Sequence, residues 1–151
     1  MQSASAPARR RQLDDIAEAL PQRAAALTKL FLNRTSVCVS RTELGVMRAL
    51  TVQPQRITEL ATAERVTQPA ITLLVNRLQE RGWVEREPDP CDRRAVLVTL
   101  TSEGREVFDG LRAEYRALLH EEMTSLSDGE IETLARAIDV LDELIRRLQE
   151  R

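Results

Sequence analysis

The sequence has few of the residues on which enzyme and metal sites depend. Its 151 residues include two cysteines, Cys38 and Cys91, and a single histidine, His120. Two cysteines are too few for a disulfide framework, and one histidine is too few for a zinc site built from several. A glycine-rich phosphate loop and a nucleophile elbow are missing as well. These absences predict a protein that is not an enzyme and holds no metal and no cofactor.

Long apolar runs are also missing. No stretch of about 18 residues is continuously apolar, so neither a transmembrane helix nor a membrane partner is predicted. Residues 1–11 contain three consecutive arginines without the apolar segment of a secretory signal, and they are interpreted as a disordered basic arm. Because cysteines are so few, a reducing, cytoplasmic location is expected.

Lysine is nearly absent, since Lys29 is the one lysine among 22 basic residues. The net charge of −2 is unevenly distributed along the chain. Residues 1–100 contain 15 basic and 11 acidic residues, a net charge of +4, and residues 101–151 contain 7 basic and 13 acidic residues, a net charge of −6. The positive part could face nucleic-acid phosphates, although an imbalance of this size also arises by chance.

The spacing of apolar residues predicts a mainly helical protein. A long amphipathic first helix is predicted from Leu13 to Phe31, and Pro21 inside it is expected to kink or divide it. The capping box Ser40–Glu43 predicts the start of a second helix, which ends at Gln53-Pro54.

Two shorter helices are predicted next. The third helix lies near residues 58–64, with Thr58 as its N-cap, and the fourth begins after three or four more residues, with Thr67 as its N-cap. Gly82 is expected to end the fourth helix in a left-handed conformation. Its predicted core face consists of Ile71, Leu74, Val75 and Leu78.

A β-hairpin and two further helices complete the prediction. The strands are expected at residues 83–87 and 95–101, joined by the polar, proline-containing connection 88–94. Thr101 is the predicted cap of a fifth helix, and Ser127–Glu130 is a capping box before a sixth.

Short helices followed by a charged hairpin are typical of a winged helix-turn-helix. The fourth helix must then turn one face to the core and the other to a DNA groove. Side chains of the outer face can hydrogen-bond bases or let the backbone approach them, although an ordinary solvated helix face would look the same. The candidate DNA-binding residues of this helix are Gln68, Pro69, Ala70, Thr72, Asn76 and Arg77.

Residues 40–104 resemble the multiple-antibiotic-resistance-regulator (MarR) family. The resemblance is carried by T-Q-P-A-I-T-L-L-V-N-R-L at 67–78, R-G-W-V-E-R at 81–86, D-R-R at 92–94, V-T-L-T at 98–101 and Gly104. It implies a mainly α fold of about six helices with a small β-hairpin wing, in which the terminal helices interlock with those of a partner chain. The corresponding division is a DNA-binding lobe at 37–101 and a dimerisation region at 12–36 and 102–151.

The resemblance also implies roles for the charged residues of the wing. Arg94 would enter the minor groove beside the fourth helix, and Asp92 would orient it through an ion pair. Arg93 and Arg86 would assist with phosphates or with the structure of the wing. A narrow, electronegative minor groove suits a guanidinium. The alternative to a DNA-binding wing is a surface hairpin with ordinary charge pairs.

The chain departs from the family pattern at Leu73, where many members carry a basic residue. This leucine removes a phosphate or base contact, and it could touch a thymine methyl group instead.

The predicted function is that of a sequence-specific DNA-binding transcription regulator, a repressor that binds a pseudo-palindromic operator as a homodimer. Its partners would be double-stranded DNA, a second copy of itself and a small-molecule effector. The wide apolar stripe on residues 131–148 agrees with a dimer. Two alternatives are a winged-helix module that binds proteins rather than DNA, and a regulator that senses oxidants through Cys38 or Cys91.

Overall fold

The computed structural model describes residues 6–92 and 95–150, which contain six helices and a three-stranded antiparallel sheet. The elements are, in chain order, α1 (Ala6–Leu32), α2 (Arg41–Val52), β1 (Gln55–Arg56), α3 (Ile57–Glu64), α4 (Gln68–Glu80), β2 (Val84–Pro88), β3 (Val96–Leu100), α5 (Ser102–Met123) and α6 (Asp128–Gln149). The predicted fold class, mainly α with a small β-hairpin wing, is confirmed. The interlocking of the terminal helices with a partner chain stays a prediction.

Helix α1 departs from the prediction in two ways. It begins at Ala6, so residues 6–11 are helical, and the prediction of a disordered arm is wrong for them; residues 1–5 lie outside the described part. Alanine, arginine and glutamine favour helices, and Pro7 is tolerated in a first turn. Pro21 does not divide the helix, which runs without interruption to Leu32.

The start of α2 is the predicted capping box. The Ser40 hydroxyl accepts a hydrogen bond from the Glu43 amide (3.2 Å), and the Glu43 carboxylate accepts one from the Ser40 amide (2.7 Å). The other predicted caps also hold at Thr67, Thr101 and Ser127, each of which accepts from the amide three residues ahead. These helix starts follow from local sequence because their partners lie within one turn.

The predicted N-cap of α3 is wrong. The helix begins at Ile57, one residue before Thr58, and the Glu59 carboxylate accepts a hydrogen bond from the backbone amide of Arg56 (2.7 Å). Gln55 and Arg56 form the short strand β1, which pairs with β3 and was not predicted. This pairing holds residue 56 extended and so places the start of the helix directly after it.

The sheet has the order β1-β3-β2, with β3 in the centre. The hairpin β2–β3 pairs Val84 with Leu100 and Pro88 with Val96, as expected for a wing. One core joins α2, α3, α4, the sheet and the start of α5. Its largest fully buried side chains are Met47, Leu60, Ile71, Leu78, Leu111, Val46, Val75, Val84 and Val98.

The described chain forms two compact units, which divide inside α5 between Arg112 and Ala113. The first unit holds α1, the core and the wing. The second holds the rest of α5 and α6, and α6 has no buried residue. The predicted division into a DNA-binding lobe and a dimerisation region stays a prediction. No helix of the described residues combines the length and the apolar character that a membrane crossing needs.

Candidate nucleic-acid interface

Helices α3 and α4 form a helix-turn-helix with a turn of three residues. Arg65 adopts a left-handed conformation (φ 54°, ψ 43°) at the end of α3, and the Val66 amide donates to the Ala61 carbonyl (3.0 Å). The Thr67 hydroxyl then caps α4. The sequence predicted the short turn, but it gave no sign of the left-handed residue, because this conformation usually marks glycine or asparagine.

Helix α4 has one buried and one exposed face. The predicted core residues Ile71, Leu74, Val75 and Leu78 are all buried. Gln68, Pro69, Ala70, Leu73 and Arg77 are exposed. The core therefore fixes the orientation of the helix and leaves its outer face accessible, which is the arrangement that a recognition helix requires.

Three of the four polar candidates on α4 are held by other groups of the protein. The Thr72 hydroxyl donates to the Gln68 carbonyl (2.8 Å), and the Asn76 side-chain oxygen accepts from Arg86 (2.7 Å). The Arg77 guanidinium lies 3.8 Å from the carboxylate of buried Glu43. These contacts restrict the rotamers of all three side chains before any DNA is bound.

Arg86 connects the wing to α4. From strand β2 its guanidinium donates to Gln79 (2.5 Å) as well as to Asn76 (2.7 Å), and both acceptors lie on α4. Of the two predicted roles, phosphate contact or support of the wing, this geometry favours support. Gln79 was not among the predicted site residues, because nothing in its local sequence indicates a partner seven residues away.

The base of the wing is held by a left-handed glycine, a buried tryptophan and hydrogen bonds of one threonine. Gly82 has φ 74° directly after α4, as predicted, and Trp83 is buried. The Thr101 hydroxyl donates to the Gly82 carbonyl (2.6 Å) and accepts from the Gly104 amide (3.0 Å). One threonine thus joins the end of α4, the end of β3 and the start of α5.

An ion pair that the sequence did not indicate holds the tip of the wing. The Arg56 guanidinium of β1 donates to the Asp89 carboxylate at 2.6 and 3.1 Å, and this carboxylate also accepts from the Cys91 amide (2.8 Å). Asp92 lies 3.8 Å from the same guanidinium. Arg93 and Arg94 lie outside the described residues, so the predicted Asp92–Arg94 pair and the minor-groove role of Arg94 stay predictions.

The Arg56–Asp89 contact changes the titration of both groups. The hydrogen bond from Arg56, followed by that from the Cys91 amide, lowers the pKa of Asp89 below its ordinary value. The same hydrogen bond raises the pKa of Arg56. The Asp89 side chain is only 9% exposed, and the hydrogen bonds that it accepts outweigh the effect of burial, which by itself would raise its pKa.

The structure brings nearly all described candidates to one side of the first unit's core. The outer face of α4 carries Gln68, Pro69, Ala70, Thr72, Asn76 and Arg77. Arg86 is hydrogen-bonded to this helix, whereas Asp92 lies at the wing tip near Arg56. Contact of these residues with DNA stays a prediction. Among the described residues, no group of three or more His, Cys, Asp or Glu side chains is arranged to hold a metal ion.

Comparisons with known proteins agree with this architecture. Residues 39–96 match the model of the MarR family. An uncharacterised HTH-type transcriptional regulator of Mycobacterium leprae is 36% identical over 86 residues, which cover 57% of this chain and 60% of that protein. The multiple antibiotic resistance protein MarR of Escherichia coli is 41% identical over 66 residues, 43% of this chain and 46% of its own length. The chain thus spans between about half and three-fifths of these curated relatives.

The structural likeness extends further along the chain. The crystal structure of wild-type MarR from Escherichia coli covers 85% of this chain and 96% of its own, with 26% identity and a TM-score of 0.67. The sequence match contains α4 and most of the wing, and the structural match adds helices on both sides of them. Residues 39–96 of this chain therefore form a domain of the MarR family.

Proposed function

We propose that this chain is a sequence-specific DNA-binding transcription regulator, a repressor that binds a pseudo-palindromic operator as a homodimer. The observation that carries the proposal is the outer face of α4, which is exposed beside a wing that Arg86 ties to the same helix. A helix held in this way can enter a major groove while the wing reaches the neighbouring backbone or minor groove. Several relatives are named as HTH-type transcriptional regulators, among them that of Mycobacterium leprae.

Exposed apolar side chains on α6 and α1 support the homodimer. On α6, Ile138, Ile145 and Leu148 share one face and are 57%, 50% and 60% exposed, and on α1, Leu13 and Ile16 are 56% and 52% exposed. Apolar side chains left exposed along one face of a helix mark an interaction surface rather than the surface of a free monomer. A symmetric dimer would place two recognition helices about 34–36 Å apart, which matches one turn of DNA.

The proposal includes modulation by a small-molecule effector and a cytoplasmic location. The effector and the repressor role rest on the family resemblance. The location rests on the cysteine content, since Cys38 and Cys91 are both free thiols.

The test is a binding titration of the full chain against duplexes selected from a random DNA pool. We expect a dissociation constant of about 10⁻⁸ M or tighter, rising steeply with salt, because phosphate contacts release counterions. Arg94→Ala should weaken specific binding by about 1–3 kcal/mol. The matched substitution Arg116→Ala, at an exposed arginine of α5, should have little effect. Absent or salt-insensitive binding would contradict the proposal.

Two other functions have specific observations in their favour. Leu73 is 62% exposed on α4, which suits a winged-helix module that binds another protein, and salt-insensitive binding would point to it. Both cysteines are exposed, which suits a thiol-based sensor of oxidants. A loss of DNA affinity on peroxide treatment that Cys91→Ser or Cys38→Ser prevents would favour the sensor.

A further inference from the structure

We propose that Leu73, together with Pro69 and Ala70, recognises thymine methyl groups in the major groove and makes this chain select thymine under the first two turns of α4. This inference rests on the proposed DNA binding and deepens it, because it names the base that the helix prefers.

Leu73 occupies the centre of the outer face of α4. It lies two residues after fully buried Ile71, which places the two side chains about 200° apart around the helix. It also lies in the second turn, within the N-terminal half that approaches base edges in helix-turn-helix proteins. Single exposed leucines are common on protein surfaces, so the residues around Leu73 decide whether its exposure has a function.

Two polar side chains close to Leu73, those of Thr72 and Asn76, are already engaged within the protein. The hydroxyl proton of Thr72 is directed to the Gln68 carbonyl, which leaves this side chain an acceptor and a methyl group. Asn76 needs both its oxygen and its amide for the bidentate contact with adenine, and its oxygen already accepts from Arg86. The hydrogen-bonding capacity that remains for bases on this face is therefore reduced.

The first two turns of α4 also offer an apolar strip. Pro69, Ala70 and Leu73 are all exposed, and Pro69 and Ala70 lie four and three residues before Leu73, spacings that place each of them next to it on the helix. In the major groove the methyl group of thymine is the one apolar feature that distinguishes a base, and cytosine lacks it. Contact between this strip and a methyl group removes apolar surface from water on both partners.

The test removes the methyl group from the DNA and the leucine from the protein in turn. A duplex selected by the wild-type chain from a random pool is remade with deoxyuridine in place of each thymine, one position at a time. We expect a loss of about fourfold in affinity at the contacted position, which corresponds to one buried methyl group. In Leu73→Ala the same replacement should change affinity by less than twofold. Val52→Ala, at an 81% exposed valine of α2, should retain the wild-type response.

The possible outcomes separate this inference from the function on which it rests. If the wild-type chain binds no duplex, the proposed function fails and the inference fails with it. If it binds but deoxyuridine has no effect at any position, DNA binding stands and the reading of thymine is wrong. If the deoxyuridine effect persists undiminished in Leu73→Ala, another residue or the shape of the DNA detects the methyl group, and the role of Leu73 is overturned.

Discussion

Gly104 is the residue at which the wing and α5 approach each other most closely. A β-carbon at this position would lie 2.0 Å from the carbonyl oxygen of Trp83, a backbone atom that cannot turn aside. The contact lets the first turn of α5 rest on the start of the wing, where Thr101 also bonds to both segments. Glycine is therefore required here by lack of space, not by backbone conformation.

Two glycines of α5 provide a matched pair of substitutions. Gly104→Ala should destabilise the fold by about 1–3 kcal/mol or more, since the added methyl group forces the wing and the helix apart. Gly110→Ala should stabilise it by about 0.5–1 kcal/mol, because nothing lies within 4 Å of its added β-carbon and alanine favours helices. Urea unfolding of both variants measures the two effects. Equal effects of the same sign would contradict the close contact at Gly104.

At the residue scale, the sequence predicted those contacts whose two residues lie close together along the chain. The caps at Ser40, Thr67 and Ser127 were found because donor and acceptor lie three residues apart. The partner of Arg56 was not found, since Asp89 is 33 residues away and many arginines and aspartates are equally plausible partners by sequence. The left-handed conformation of Arg65 was missed for another reason. Arginine rarely adopts this conformation, so the sequence does not indicate it.

At the scale of elements, side chains attach the wing to two neighbouring elements, α4 and β1. Arg86 ties strand β2 to α4 near the middle of the wing, and Arg56 ties strand β1 to the wing tip at Asp89. The sequence predicted the hairpin from its alternating apolar residues, but it missed β1. A strand of two residues has too few positions to show an alternation.

The Arg86 contact predicts a positioning role that can be distinguished from phosphate binding. Arg86→Met should weaken DNA binding by about 1–2 kcal/mol, because α4 and the wing lose their common support. The dependence of affinity on salt should stay the same, whereas loss of a phosphate contact lowers the slope by about one. Titrations at several salt concentrations measure both quantities.

A second substitution makes this test stricter. Gln79→Ala removes the other end of one hydrogen bond and should weaken binding in the same way. In the Arg86→Met background it should have almost no further effect, since residues that act through one contact are not additive. Additive losses, or a reduced salt slope in Arg86→Met, would instead assign Arg86 to the phosphates.

The Arg56–Asp89 pair predicts how stability responds to acid. The folded-state pKa of Asp89 is lowered, so its contribution is fully present above the unfolded pKa of about 4 and is lost as the pH falls through the folded pKa. Asp89→Asn should therefore be less stable than the wild type by a constant amount between pH 6 and pH 8, and the difference should shrink below about pH 4. Urea unfolding at each pH measures it.

The control for this prediction is Glu85→Gln, an exposed position on the same hairpin. This variant should follow the wild type over the whole pH range. A stability difference between Asp89→Asn and the wild type that stayed constant down to pH 3 would show that the negative charge of Asp89 does not stabilise the wing.

At the scale of the whole molecule, the chain leaves apolar surface uncovered. The sequence predicted the apolar stripe of α6, and most of its residues are exposed in the single chain, with Ile131 at 40% and Leu148 at 60%. It did not predict that the two compact units divide inside α5, because the helix continues across Arg112 and Ala113 without any breaking residue. The periodicity of apolar residues predicts which face of a helix becomes buried. It does not predict which surface packs against that face.

A charge placed in the α6 stripe tests whether a second copy covers it. Ile138→Glu should raise the dissociation constant of the dimer at least about tenfold, since each copy would bury an unpaired carboxylate in an apolar contact. The variant should keep its helical content, because Ile138 is 57% exposed in the single chain and glutamate favours helices. Arg136→Glu, on the opposite side of the same helix, introduces the same side chain and should leave the dimer intact. Sedimentation velocity over a range of concentrations measures both variants. If Ile138→Glu associates as tightly as the wild type, α6 does not form the dimer contact, and the covering surface must be sought on α1 or elsewhere.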